Sequence, residues 1–404
     1  MHKNGWAIVM NFFRTLGSRF SLFGFVLLFP MFFFYHFLVG VGVVPPFLGG
    51  YFGVMALLLM VVYFIRPSGF FSRKFSAWVF IGILVWVVWV ALMNYAADLP
   101  RGYSLEMLAW SFQGVLFNLV CYFIGKNIEF SAADAKLILI FFVLMFFVVV
   151  FNVGDSGIFY IKQTAGDVAG SVATYQGFAR SLVFVLLMLV SLLLDKKNLM
   201  LAIFLCGSVA LFLNGARTEF VLFVISVVSL LIVKSGSSVK SMLYFLLVFF
   251  LVLIGGYFLL SLAPESRMMQ LLNLSSSSSY LARVALNEFA LITIANSPVW
   301  GGYGEYTSIG GVGSYPHSLL SAWANLGVLG FLGYVFLFAF LWIQAGFAIM
   351  RNLYTNESFY SFFVFLVFST LAVIFSKPYS YMMVGFVVGL NVRFANKYKI
   401  MIRE

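Results

Sequence analysis

Apolar residues fall along this chain in long runs separated by short polar interruptions. Twelve such runs lie near residues 20–43, 47–65, 76–96, 107–125, 135–153, 178–194, 199–213, 219–233, 242–263, 318–346, 358–376 and 379–394. Each is near the length, roughly 20 residues, that carries a helix across a hydrocarbon core. A helix also pairs its own backbone groups where no water can. The pattern predicts an all-α integral membrane protein of about 12 transmembrane helices, a single polytopic membrane domain over residues 1–404.

One long polar interruption, residues 264–317, separates the ninth and tenth runs. It holds a serine run, Ser275 to Ser279, and then a helix-like stretch from Tyr280 to about Ala295, for which Ser279 is the expected N-cap. Asn296-Ser297-Pro298 ends that stretch, because proline cannot continue a helix and restricts the residue before it. Its apolar positions Leu281, Val284, Ala285, Phe289 and Ile292 predict a helix lying against the membrane or the bundle. A glycine-rich turn, Gly301-Gly302-Tyr303-Gly304-Glu305-Tyr306, and then Ser314-Tyr315-Pro316-His317 complete the loop.

Composition agrees with the pattern. Hydrophobic residues make up 63% of the chain and charged residues 9%, with a mean hydropathy of +1.06. Soluble domains carry about 45–50% apolar residues. The net charge of +11 is spread in small groups between apolar runs, which orient spans in a bilayer and do not form a nucleic-acid footprint. Cys121 and Cys206 both sit inside apolar runs and read as buried thiols. No cleavable signal peptide is expected, because the first long apolar run exceeds a signal core and more spans follow. With both termini placed in the cytoplasm, 17 Lys and Arg fall on the inner side and 7 on the outer. The loop 264–317 then faces outward.

Orientation does not require cations on the outer side, so Arg180, Arg217 and Arg283 need another reason. Arginine is a permanent cation whose planar fork of donors matches phosphate oxygens. Several converging at a membrane surface point to a phosphate or diphosphate at headgroup depth. The alternative for each is an interfacial anchor, or for Arg217 a pairing with Glu219. His317 is the outer-side histidine, at the mouth of the tenth run. It is the natural proton acceptor there, or else a helix-start histidine bonded to backbone. His36 lies within the first run and reads as packed inside the bundle. Trp300, Tyr303, Tyr306 and Tyr315 are candidates to stack on sugar rings or to join an interfacial aromatic belt. Glu305 and Glu288 are secondary candidates for acid or orienting roles. No zinc pattern, phosphate-binding glycine loop, metal-binding carboxylate pair or nucleophilic motif is visible, so no metal and no cofactor are expected. Transport is a competing reading, but it predicts ionisable residues deep in spans and internal repeats, and the chain shows neither beyond His36.

Three stretches resemble the bacterial O-antigen ligase and O-antigen polymerase superfamily. Asn214-Gly215-Ala216-Arg217-Thr218-Glu219-Phe220 is similar to its arginine-bearing turn at the start of an outer-side span. Arg283, followed by Pro298-Val299-Trp300-Gly301-Gly302-Tyr303-Gly304, resembles its arginine and glycine-rich segment. Tyr315-Pro316-His317-Ser318-Leu319-Leu320 with Asn325-Leu326-Gly327-Val328-Leu329-Gly330 resembles its histidine motif. There Ser318 stands where asparagine is usual, and Asn325-Leu326 where the family has glutamate. The resemblance covers about Arg180 to Gly333. It implies a GT-C-like inner-membrane glycosyltransferase whose donor is an undecaprenyl-pyrophosphate-linked glycan. Arg217 and Arg283, assisted by Arg180, would hold the pyrophosphate, and His317 would deprotonate the acceptor hydroxyl. The implied acceptor is a lipid-linked repeat unit for a polymerase, which the modest outer loop favours, or lipid A-core for a ligase. Membrane lipids surround the protein, nucleic acid is not a partner, and a chain-length regulator protein is a candidate one. A lipid-linked oligosaccharide flippase is the more distant alternative.

Overall fold

The computed structural model describes residues 17–46, 50–65, 72, 74–154, 159, 175–235, 278–351, 353 and 357–401. The predicted run 242–263, Lys162, Arg267 and the serine run up to Ser277 lie outside the described residues. Helices occupy the other eleven apolar runs: α1 Gly17–Gly40, then α2 Tyr51–Ile65, α3 Phe75–Ala96, α4 Ser104–Asn127, α5 Ala132–Phe151, α6 Tyr175–Leu192, α7 Lys197–Leu213 and α8 Arg217–Ser235. After these come the loop helix α9 Ser278–Asn296, then α10 Leu320–Met350, α11 Glu357–Phe375 and α12 Met383–Met401. Seven of these, namely α1, α3, α4, α5, α8, α10 and α11, are long and apolar enough to cross a membrane; α2, α6 and α7 are shorter apolar helices. The described chain is thus an all-α protein of multi-pass membrane character.

The helices gather into two compact units. The first comprises Met1–Leu59, Asn127–Leu274 and Asn352–Phe368, and the second Met60–Lys126, Ser275–Arg351 and Ser369–Glu404.

In the first unit, α6 is packed on all sides, its residues from Leu182 to Val190 being fully buried. Helices α6, α7 and α8 follow one another through tight turns, so the N-termini of α6 and α8 lie at the same end of the unit. Pro30 interrupts the hydrogen-bond ladder of α1, since it has no N–H to offer. The Tyr51 hydroxyl donates to the Leu27 carbonyl beside this kink (3.2 Å). At the opposite end, Ser131 and Asp134 form a reciprocal cap on α5, and Arg19 pairs with Asp134.

In the second unit, α4 and α12 meet backbone to backbone. A Cβ at Gly385 would lie 2.0 Å from the Asn118 carbonyl oxygen, and one at Gly389 would lie 2.3 Å from that of Tyr122. Small residues at this four-residue spacing let apolar helices approach where lipid offers no hydrophobic drive. Polar side chains add directional contacts. Asn118 bonds the Gly385 N–H and the Ser380 carbonyl, and Ser76 bonds Asn391, which reaches Gln344.

One detail differs from the sequence reading and a second narrows it. Ser279 lies inside α9 and does not cap it, because the helix already includes Ser278. The face of α9 that packs on α10 carries Leu286, Ala290 and Thr293, whereas Leu281 and Ile292 are more than half exposed. Of the two expected alternatives, membrane or bundle, these exposed apolar residues fit the membrane one.

Candidate functional site

The second unit assembles the loop motifs around a broken helix. Gly327, inside α10, has φ 69° and ψ −174°, so the first turns of α10 end there and a new helical segment starts. Only glycine readily adopts this backbone region. A Cβ at this position would also meet the Val299 carbonyl oxygen at 2.0 Å. The break lets the glycine-rich turn dock on the backbone of α10. Gly302 N–H donates to the Ala324 carbonyl (2.7 Å), Val328 N–H to Val299 (3.2 Å), and the Trp323 indole to Pro298 (2.8 Å). The buried Asn325 carboxamide accepts from Gly304 N–H (3.0 Å) while donating to the Ser321 carbonyl (2.8 Å). An amide both donates and accepts, which a carboxylate cannot.

Tyr303 and Tyr306, expected as sugar-stacking candidates, are each only 5% exposed. The Tyr303 hydroxyl donates to the Met107 carbonyl (3.0 Å), which leaves Ser111 as the donor to it, and Tyr306 bonds the Asn325 side chain. Burial pushes both phenols above the ordinary tyrosine range, so they keep their protons. They anchor the turn from below. Trp300, by contrast, is 71% exposed. Glu305 is exposed, and its carboxylate accepts from the Thr293 hydroxyl (3.2 Å) of α9. It folds over Gly302, where any side chain would occupy its place. Glu288 is exposed on α9.

His317 is held at three points. Its backbone N–H donates to Asn287 Oδ1 on α9 (3.0 Å). Its Nδ1 lies 3.0 Å from the Ser376 carbonyl oxygen, just past the end of α11. The Tyr315 ring packs against it at 4.5 Å between centroids. A carbonyl only accepts, so Nδ1 carries the proton and Nε2 keeps its lone pair. The backbone-bonded alternative for His317 is therefore realised at one ring nitrogen, and that bond prepares the other. Burial above all lowers its pKa, with the Arg283 and Lys377 charges adding to the shift and the Ser376 bond opposing it; the result is about 4. The imidazole is neutral at pH 7. Arg283 lies one helical turn from Asn287, on the face of α9 turned to His317. The Ser318 hydroxyl, next in the chain, is buried and bonds nothing among the described residues.

The first unit carries the other two arginines. The Arg180 guanidinium lies beside the rings of Phe32 and Phe52, 4.8 and 4.9 Å from their centroids, and the two rings meet each other edge to face. Both contacts fall within cation–π range. His36 packs between Phe32 and Phe178, against Gly177, as expected of a packed histidine. Arg217 begins α8, directly after the turn Asn214-Gly215-Ala216, at the same end of this unit as Arg180.

Sequence reasoning missed Ser376, Asn287 and Lys377 as neighbours of His317. Only Lys377 carried a signal, as a cation on the side where orientation does not need one. Among the described residues no cluster of His, Cys, Asp or Glu could hold a metal ion. No protein-family model matches the chain, and no curated protein or solved structure is detectably similar to it.

Proposed function

We propose that this chain is a membrane glycosyltransferase that moves a glycan from a lipid diphosphate to an acceptor hydroxyl, in surface polysaccharide assembly and as an O-antigen-type polymerase. The observation that carries the reading is His317, with its Nδ1 proton fixed on the Ser376 carbonyl and Nε2 available, and with Arg283 and Lys377 acting on the ring. In the reaction, Nε2 takes the proton of the acceptor hydroxyl. The acceptor oxygen bonds the anomeric carbon as the carbon–oxygen bond to the diphosphate breaks, and that electron pair leaves with the lipid diphosphate. Arg283 opposes the charge that develops there, the task fixed cations perform best. Arg217 and Arg180 enter on the motif resemblance, as further diphosphate ligands. Of the glycan-contact candidates, Tyr315 packs on His317 and Glu305 is exposed. The reading places the site on the periplasmic face of the inner membrane.

Replacing Arg217, Arg283 or His317 by alanine in cells, with expression checked, removes long-chain polysaccharide on this account. Normal chains in all three variants would end it. A glycan gel of a deletion strain separates the two acceptors. Core bearing a single repeat unit marks a lost polymerase, and bare core with accumulated lipid-linked polymer marks a lost ligase.

A further inference from the structure

Lys377 follows the residue whose carbonyl holds the His317 ring. Its backbone N–H and that of Ser376 both bond the Ala372 carbonyl (2.7 and 2.9 Å), which fixes the turn onto the end of α11, and Pro378 stiffens its far side. The Lys377 ammonium lies 5.9 Å from the ring centroid of the buried Tyr381. Arg283 approaches His317 from α9, on the face that also sends Asn287 to the His317 backbone. Tyr315, from His317's own segment, is the remaining titratable group on the ring. Among the described residues no carboxylate acts on this imidazole, so the charges that reach it from two separate elements are both positive.

We propose that Arg283 and Lys377 form an anion subsite beside His317, and that filling it with a diphosphate turns the imidazole from a weak into a competent proton acceptor. The identity of the anion rests on the function proposed above; the placement of the two cations rests on Asn287 and Ser376, which bond His317 from the same two elements. Burial above all, with two cations adding to it, holds His317 well below the ordinary histidine range, which makes it neutral but feebly basic. A diphosphate bearing compensating charge removes the cationic contribution, so basicity rises only when a donor is in place. Proton abstraction is thereby tied to donor binding, and Lys377 is assigned as a positioning residue for the anion.

The test is an NMR pH titration of labelled histidines in the full chain in nanodiscs. The chain has three histidines, and His317→Asn assigns the signal. Saturating inorganic pyrophosphate is expected to raise the His317 midpoint by about 1 pH unit or more in the wild type, the size of a single nearby charge. In Lys377→Met the anion-free midpoint lies above that of the wild type, the pyrophosphate response shrinks, and pyrophosphate binds more weakly by about fivefold or more. Lys377→Arg restores the response. A lysine that only caps α11 would change stability and leave these midpoints alone. No pyrophosphate-dependent movement in the wild type, or a Lys377→Met protein that responds like the wild type, overturns the proposal. Titrations in zwitterionic and in anionic lipid separate the sources of anion. If anionic lipid alone produces the whole movement and pyrophosphate adds nothing, the subsite binds headgroups and the proposal fails. A pyrophosphate response together with unimpaired glycan transfer in His317→Ala would instead sink the proposed function and leave the subsite standing.

Discussion

Replacing Gly327 by alanine isolates the joint that holds the glycine-rich turn. The new Cβ would sit 2.0 Å from the Val299 carbonyl oxygen and 2.8 Å from the Trp300 carbonyl carbon, both backbone atoms that no rotamer change can move aside. Forcing a side-chain-bearing residue into this φ/ψ region costs about 1–3 kcal/mol. Relief requires the turn to lift, which forfeits the bonds from Val328 to Val299 and from Gly302 to Ala324. Each is worth about 0.5–1.5 kcal/mol net. The sum is about 2–6 kcal/mol, charged to the docking of one loop and not to the whole bundle. A change of about 4 kcal/mol corresponds to roughly a thousandfold shift in an opening equilibrium. Hydrogen–deuterium exchange of the protein in nanodiscs reads this directly, as lost protection at Gly302, Gly304 and Val328. Gly346→Ala in the same helix is the control, because a Cβ there meets nothing within 4 Å. It should leave that protection unchanged and favour the helix by about 0.8–1 kcal/mol. Wild-type protection of the turn in Gly327→Ala would refute the account of the broken helix.

Two further outcomes follow from other parts of the structure. Gly385→Val drives a side chain into the backbone of α4 at Asn118, and overpacking of this kind costs about 1–3 kcal/mol or more. The thermal unfolding midpoint should fall clearly, and an unchanged midpoint would mean α4 and α12 do not touch there. For pH, the depressed midpoint of His317 has a definite sign. Between about pH 4 and 6.5 the unfolded chain binds the proton that the folded chain refuses, so the stability it contributes is complete above 6.5 and fades as pH falls toward 4. Transfer should follow the same base. The kcat/KM profile, which reports the donor-free protein, holds down to about pH 5. The kcat profile falls at higher pH, because donor binding raises the midpoint. Coincident profiles would contradict the coupling.

Much of the helical scaffold was legible because a span needs only length and apolarity, and both are local properties. The runs around residues 76–96, 107–125 and 358–376 became α3, α4 and α11 within a few residues. Helix faces were harder. On α9, hydrophobicity sets Leu281 and Ile292 against membrane or bundle without choosing between them, and the helix turns Leu286, Ala290 and Thr293 inward. In a chain this apolar, hydrophobic periodicity hardly separates a lipid-facing stripe from a protein-facing one. Tyr303 and Tyr306 illustrate a related ambiguity, since a tyrosine in a glycine turn reads equally as a surface platform or as an anchor. Burial decides between them, and burial depends on Met107, Ser111 and Asn325, which are remote in sequence or beyond the turn. The histidine was legible through its position after proline at the head of an apolar run. Its tautomer was not, because Ser376 lies fifty-nine residues away. Gly327, in the Asn325 to Gly330 stretch, takes its physical meaning only from the approach of Val299.

The central claim is that His317 moves a proton during transfer of a glycan off a lipid diphosphate. Its most direct test uses the purified chain in proteoliposomes with an undecaprenyl-pyrophosphate-linked glycan and a lipid-linked repeat unit as acceptor. Release of undecaprenyl pyrophosphate and growth of the glycan are followed together. The wild type should produce both in equal amounts. His317→Ala should bind the donor normally and lose transfer by about 100-fold or more, the usual contribution of a positioned base. Equal transfer by the two proteins, or none by a folded wild type that binds the donor, would contradict the account.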